Sequence, residues 1–269
     1  MKRIFILIFF LVFSQAALAA PERIVSINLC TDELLPLLAA ESSIAALTVF
    51  SDANPDLVYE NIPKIRGEAE EILALDPDLV VGGTFSNRET IAILKRLKIP
   101  VTILEVADGF DMIYENIRIL AAALGTEERA DILISTMQAE LKKIKVERRE
   151  AAPAAVFYQR NGNVPGRGTF QHSILELAGL ENLAARLGIS GHGYMSLEEL
   201  VLNKPDILIL TDSRKEHYSI GNELLFHPAL KKGLPDVKVI HLPGYLLECG
   251  SPYAVQAASL LKDNLKALK

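Results

Sequence analysis

The sequence predicts an α/β protein built from two Rossmann-like lobes joined by one long rigid helix. Three observations predict it. Short β-branched runs alternate with amphipathic helix-type runs along the whole chain after residue 20, the pattern of mainly parallel strands covered on both sides. A helix–turn–strand segment, EEILALDPDLVV from Glu70, returns as EELVLNKPDILI from Glu198, 128 residues on. Between the two copies runs one helical pattern with an apolar stripe and oppositely charged ends.

The elements follow in order. Lys2 and Arg3 precede an unbroken apolar run, Ile4 to Phe13, and then Ala17-Leu18-Ala19. This is the layout of a secretory signal peptide, so residues 1–20 are expected to be removed and the remainder exported as a soluble protein. No cysteine follows at once, and no lipid anchor is expected. In the first lobe, residues 21–125, Ile24 to Asn28 reads as a strand leading into the helix TDELLPLLAA. Leu75 to Gly83 ends in a second strand, NRETIAILKRLK forms a helix, and Pro100 to Val106 forms a third strand.

The linker helix is predicted over 126–150. Thr126 caps it, Glu127 and Glu128 face the positive end of its dipole, and Lys142, Lys143, Lys145, Arg148 and Arg149 the negative end. Ala130, Leu133, Met137, Leu141 and Ile144 mark its apolar face. At 1.5 Å per residue it would be about 35 Å long, with AAPAA closing it. In the second lobe, residues 151–269, AAVFYQ, Pro205 to Thr211 and Val237 to Leu242 read as strands, and FQHSILELAGL as a helix.

Composition narrows the function. Without Lys2 and Arg3 the chain has 26 basic residues against 34 acidic, a formal charge of −8, which argues against nucleic-acid binding. There is no G-x-S-x-G, HExxH, P-loop or GxGxxG pattern, so an enzyme is not expected. A thiol nucleophile at Cys30 is the residual alternative. His172, His192 and His217 show no HxH or HxxxH spacing, so neither a protein-held metal nor free-ion transport is expected. His192 or a tyrosine remains available as an axial ligand to a haem iron.

The chain resembles the periplasmic substrate-binding proteins of ABC importers, in the iron-siderophore, haem and cobalamin class. The carrying stretches are RIVSINLCTDELLPLLA, EEILALDPDLVVGG, LKIPVTILEV, the long helix, SLEELVLNKPDILIL and CGSPYAVQAASLLKDNL. The resemblance implies a ligand cleft between two lobes that move little, and a monomer with no intrinsic cofactor. It implies a metal chelate as ligand, most simply a ferric siderophore or related iron complex, with cobalamin or haem as alternatives that would carry cobalt or iron. It also implies delivery to an inner-membrane permease with its ATPase, docked through Glu70 and Glu198.

Ligands in open α/β sheets bind beyond the carboxyl ends of strands. On those tips lie Asn28, Cys30, Thr31, Arg66 and Arg88 in the first lobe. Tyr158, Arg160, Arg167, Tyr194, Tyr245 and Cys249 lie on them in the second. Four arginines on tips suggest an anionic ligand, because a guanidinium fork suits carboxylate, phosphate or catecholate oxygens. The tyrosines are the expected flat contact surfaces, since the chain has no tryptophan. The resemblance puts the Cys249 loop on the far side of the cleft from Cys30. The two cysteines are then either a disulfide, if their Cα atoms come within roughly 7 Å, or two free thiols facing the ligand.

Overall fold

The protein is described here from a computed structural model covering residues 20–57, 59, 61–146, 151–212 and 232–268. The signal-peptide expectation therefore falls almost wholly outside the described residues, as do His217, Arg148 and Arg149.

The first lobe is a five-stranded parallel sheet, in the order β3-β2-β1-β4-β5. Its strands are β1 (Ile24–Ser26), β2 (Ile44–Thr48), β3 (Lys64–Ile65), β4 (Leu79–Gly83) and β5 (Val101–Leu104). Helices α1 (Leu29–Leu38), α2 (Ala69–Ala74), α3 (Arg88–Arg96) and α4 (Phe110–Leu124) complete it. All five residues of β4 are buried, as expected for a central parallel strand covered on both faces.

Helix α5 (Glu127–Ile144) follows directly and packs on α4. The second lobe has a four-stranded parallel sheet, β11-β10-β6-β8, from β6 (Ala154–Tyr158), β8 (Glu181–Asn182), β10 (Ile207–Asp212) and β11 (Lys238–Pro243). Beside it β7 (Asn163–Pro165) and β9 (His192–Tyr194) form an antiparallel pair. Among the described residues its helices are α6 (Phe170–Leu177), α7 (Leu183–Arg186), α8 (Leu197–Asn203) and the last helix, α9 (Tyr253–Ala267).

The duplicated segment is duplicated in backbone detail. In α2, Glu71 Oε2 accepts from the Glu68 N–H at 3.3 Å. In α8, Glu199 Oε2 accepts from the Ser196 N–H at 2.8 Å, closing a capping box. Each helix is followed, at the equivalent position, by a residue of positive φ, Asp76 at 46° just after α2 and Lys204 at 41° capping α8. Each then reaches an aspartate that ties the next strand to its neighbour. Asp78 accepts from the Glu22 and Arg23 N–H groups, and Asp206 from the Ala154 N–H at 2.7 Å.

The linker helix is shorter than its sequence pattern suggests. Lys145 leaves helical geometry at ψ 125°, and the Val146 N–H is taken by the Leu177 carbonyl at 2.8 Å. A tertiary bond thus replaces the next helical one and ends α5 at Ile144. Thr126 occupies the cap position but makes no side-chain cap bond, and its buried hydroxyl has no partner among the described residues.

One buried apolar cluster runs from the first sheet, through α4 and α5, into α6, α9 and the second sheet. Arg129 of α5 donates to the Leu38 and Ala39 carbonyls, each at 3.2 Å, capping the C-terminal end of α1. The lobes therefore share a core, which favours small movements over wide hinge opening.

Candidate ligand-binding cleft

A cleft of about 810 Å³ opens between the lobes and is lined from both, within the usual size range of small-molecule sites. From the first lobe come Asn28, Cys30 and Thr31 at the start of α1, Gly83 at the end of β4 with Thr84 and Phe85 after it, and Glu105, Val106 and Ala107 after β5. From the second come Gln159, Arg160 and Asn161 after β6, Asn163 and His192 on the antiparallel pair, and Gln171 on α6. Glu248 and Gly250 precede α9.

Local sequence builds these walls. Asn28 caps α1 by accepting from the Cys30 N–H at 2.8 Å, which turns the chain into the cleft. The Gly82-Gly83 end of β4 lets that tip come close: a Cβ on Gly83 would lie 3.1 Å from the Asn28 side chain. Phe85 is 84% exposed and Val106 54%, so the first-lobe wall presents an apolar surface beside the polar Asn28, Thr84 and Glu105. Glu105 is held there by Thr84 Oγ1, which donates to its Oε2 at 3.1 Å.

Cys30 and Cys249 are disulfide-bonded, with Cα atoms 5.3 Å apart. The bond joins α1 to the loop before α9 at the base of the cleft. Both cysteines of the chain are consumed, so the thiol nucleophile and the two-free-thiol reading are overturned. Next to the bond, Gly250 packs against Ala107 so closely that a Cβ there would overlap the Ala107 Cβ.

Under the disulfide lie two buried carboxyls. Asp32 accepts from Thr48 Oγ1 at 2.5 Å and from its N–H at 3.1 Å; burial outweighs these bonds and pushes its carboxyl up to about 6. Glu33 is pushed up to about 7, first by burial, with the charges of Glu248 and Asp32 adding, against hydrogen bonding from Ser251 and Asn54. Its Oε2 has no partner among the described residues.

Of the residues expected on strand tips, Asn28, Cys30, Thr31 and Arg160 line the cleft. The others do not. Tyr158 is fully buried in the second-lobe core, its hydroxyl donating to the Met195 carbonyl at 3.1 Å. It ends β6 with its ring turned into the sheet's packing face, so it offers no surface to a ligand. Tyr245 is half-buried against the main core, and Tyr194 is exposed on β9, its ring over Gly162.

Arg66 and Arg88 are exposed outside the cleft. The backbone of Arg167 pairs with Ile189 and Gly191 while its side chain is exposed. Cys249 is buried behind Cys30 rather than in contact with the cleft. The anionic-ligand argument drawn from four arginines thus keeps one.

His172 is structural, bonded to Asn182 at 3.2 Å and near Glu176. His192 faces the cleft with Nδ1 3.2 Å from Asn163 Oδ1, and burial lowers its pKa, favouring the neutral ring. No group of three or more His, Cys, Asp or Glu that could hold a metal is found among the described residues. Phe85, Val106 and Gln171 escaped the sequence reading. An aromatic in the otherwise polar loop Thr84-Phe85-Ser86-Asn87 was the available signal for the first.

Two parallel-sheet lobes, one bridging helix and a cleft lined from both sides define a two-lobed substrate-binding protein of the kind that serves ABC importers. The chain belongs to the periplasmic binding protein family, whose model matches residues 24–233. It is 30% identical over 253 residues to the vitamin B12-binding protein of Salmonella typhi, covering 92% of this chain and 91% of that one. It is 27% identical to an uncharacterised ABC transporter substrate-binding lipoprotein, YvrC, of Bacillus subtilis, covering 72% of this chain but 65% of the relative, under two thirds of its length.

Among solved structures, the periplasmic heme-binding protein RhuT from Roseiflexus sp. RS-1 superposes with a TM-score of 0.75 at 27% identity, over 91% of this chain and 98% of that one. HutB of Vibrio cholerae, at 23% identity and a TM-score of 0.77 over 90% and 98% of the two chains, shares the fold. No helix among the described residues is long and apolar enough to cross a membrane.

Proposed function

We propose that the protein captures a metal chelate in the interlobe cleft and delivers it to an inner-membrane ABC permease and its ATPase. In this reading residues 1–20 are a cleaved signal peptide, and residues 21–125 and 151–269 are two lobes of a periplasmic monomer. The observation that carries it is the cleft itself, about 810 Å³ and lined by both lobes, room for a chelate rather than a bare ion. A ferric siderophore or related iron complex fits that space. Cobalamin is the second reading, favoured by the 30% identical relative that covers nearly the whole chain.

Glu70 and Glu198 lie exposed in the first turns of α2 and α8. The neighbouring Glu71 and Glu199 close the helix starts, which leaves Glu70 and Glu198 directed outward as docking groups for basic residues of the permease. The capture reading is tested by equilibrium titration of the purified protein with chelates. One-to-one saturation with the ligand recovered unchanged is expected. Turnover of the ligand would make the protein an enzyme and end the reading.

A further inference from the structure

We propose that Glu33 is a proton-operated latch between the lobes: uncharged, it holds the loop that floors the cleft against α1, and ionised, it releases that loop and loosens the cleft's grip. The effect on a ligand rests on the capture reading; the tie between the lobes does not.

The geometry is a pair of parallel ties. Cys30 and Cys249 join α1 to the loop before α9 covalently. Three residues on, and so on the same face of α1, Glu33 is hydrogen-bonded by Ser251, two residues past Cys249. Ser251 Oγ accepts from the Tyr253 N–H at 3.3 Å, which leaves its own proton for the carboxyl. On the first-lobe side Glu33 Oε1 accepts from Asn54 Nδ2 at 3.2 Å. Glu33 is 1% exposed, so a carboxyl is clamped between the lobes out of reach of bulk water. Leu247, Glu248 and Gly250 of the same loop line the cleft, and what Glu33 holds is therefore cleft floor.

The surroundings make ionisation the releasing event. Facing Glu33 are Asp32 on its own helix, Asn54 from the segment after β2, and Glu248 and Ser251 from the loop. Tyr253 of α9 also faces it, in a group with Asp56, Tyr59 and Tyr245; the tyrosines stay neutral near pH 7. Lys64 acts on Asp32 rather than on Glu33 and is held by Ser51 and Asp52. Asp32 itself places its bonds on Thr48 inside the first lobe and ties nothing across the junction. A charge on Glu33 is thus buried beside other carboxylates with no cation against it among the described residues, and opening toward water relieves it. Burial first, then Glu248 and Asp32, keep the proton on up to about 7. The folded state favours the protonated form, so the tie is present in mild acid and is lost as pH rises through about 7.

The test that needs no ligand is amide hydrogen exchange in residues 248–255, corrected for the intrinsic effect of pH. Between about pH 5.5 and about pH 8 the wild type should lose roughly 10-fold in protection, and Glu33→Gln, which keeps the shape and cannot ionise, should lose little. Equal losses in both proteins, or none in the wild type, overturn the latch. Should the variant fail to fold, the wild type decides alone: at the higher pH low urea should not accelerate exchange in this segment, the mark of local opening. Acceleration as steep as that in β4 means global unfolding and overturns it.

Cyanocobalamin and a neutral ferric trihydroxamate probe the grip. A probe that binds should be held roughly 10-fold less tightly at about pH 8 than at about pH 5.5 by the wild type, and equally at both by Glu33→Gln. His192, the other titrating group on the cleft, is present in both proteins, so a fall shared by both overturns the coupling to Glu33. Binding of neither probe at either pH counts against the capture reading, and the exchange measurement then decides the latch.

Discussion

Cys30 and Cys249 lie 219 residues apart in sequence, with their Cα atoms 5.3 Å apart, and their disulfide ties the first helix to the loop before the last. It closes most of the chain into a loop at the point where the two lobes meet at the base of the cleft. A cross-link over so long a loop stabilises by about 3–5 kcal/mol in the chain-entropy account. Reduction, or Cys30→Ser with Cys249→Ser, should lower the melting temperature by roughly 5–15 °C in calorimetry. It should also weaken ligand binding, because the cleft floor loses its covalent brace. An unchanged melting temperature would show that the shared core alone holds the lobes.

Gly250 extends the same junction. A methyl group there would run into the Ala107 Cβ, and both neighbours are on backbone that the disulfide and α4 hold in place. Gly250→Ala should therefore cost about 1–3 kcal/mol by overpacking and shift the lobes apart. Denaturant unfolding and ligand titration on the same variant check both effects.

Asp32 and Glu33 make stability depend on pH in a defined direction. Burial raises both carboxyls, to about 6 and about 7. A raised acid holds its proton longer in the folded state, so its contribution is fully present below the unfolded pKa, near 4. That contribution is lost as pH rises through about 6 to 7. For one such carboxyl the loss amounts to about 3 kcal/mol, and Glu33, with an unbonded oxygen, carries the larger share. Melting temperatures should fall between about pH 4.5 and 7.5, and Glu33→Gln should flatten that fall. A rise over the same window would contradict the assignment.

Glu70→Ala combined with Glu198→Ala should abolish chelate uptake in cells while leaving the affinity of the purified protein unchanged, because both glutamates lie outside the cleft. Normal uptake by the double variant removes the docking role.

Much of this architecture could be read before any coordinates. The strands β4, β6 and β10 are built on continuous apolar runs, β11 alternates apolar and polar residues, and the Pro77-Asp78 and Pro205-Asp206 pairs announced their own duplication. The short strands β3, β7, β8 and β9 gave no such signal, since two or three residues are too few to show a period of two. Their placement comes from tertiary bonds, such as the Asn182 amide donating to the Pro165 carbonyl at 3.0 Å.

The site was legible as a set of loops but not as a set of side chains. The strand-end rule found the tips carrying Asn28, Thr31 and Arg160. It could not tell that Tyr158, on an equally correct tip, turns inward to bond Met195. Nor could it find Gln171, which lines the cleft from inside α6 rather than from a strand tip.

The central claim is capture of a metal chelate between the lobes, and the most direct measurement is the absorption spectrum of the protein isolated from a periplasm and then titrated. The account predicts a corrinoid spectrum, a Soret band or a ferric charge-transfer band, in the recovered protein or on titration, saturating at one chelate per chain. A colourless protein that binds none of these chelates at any concentration tested would contradict it.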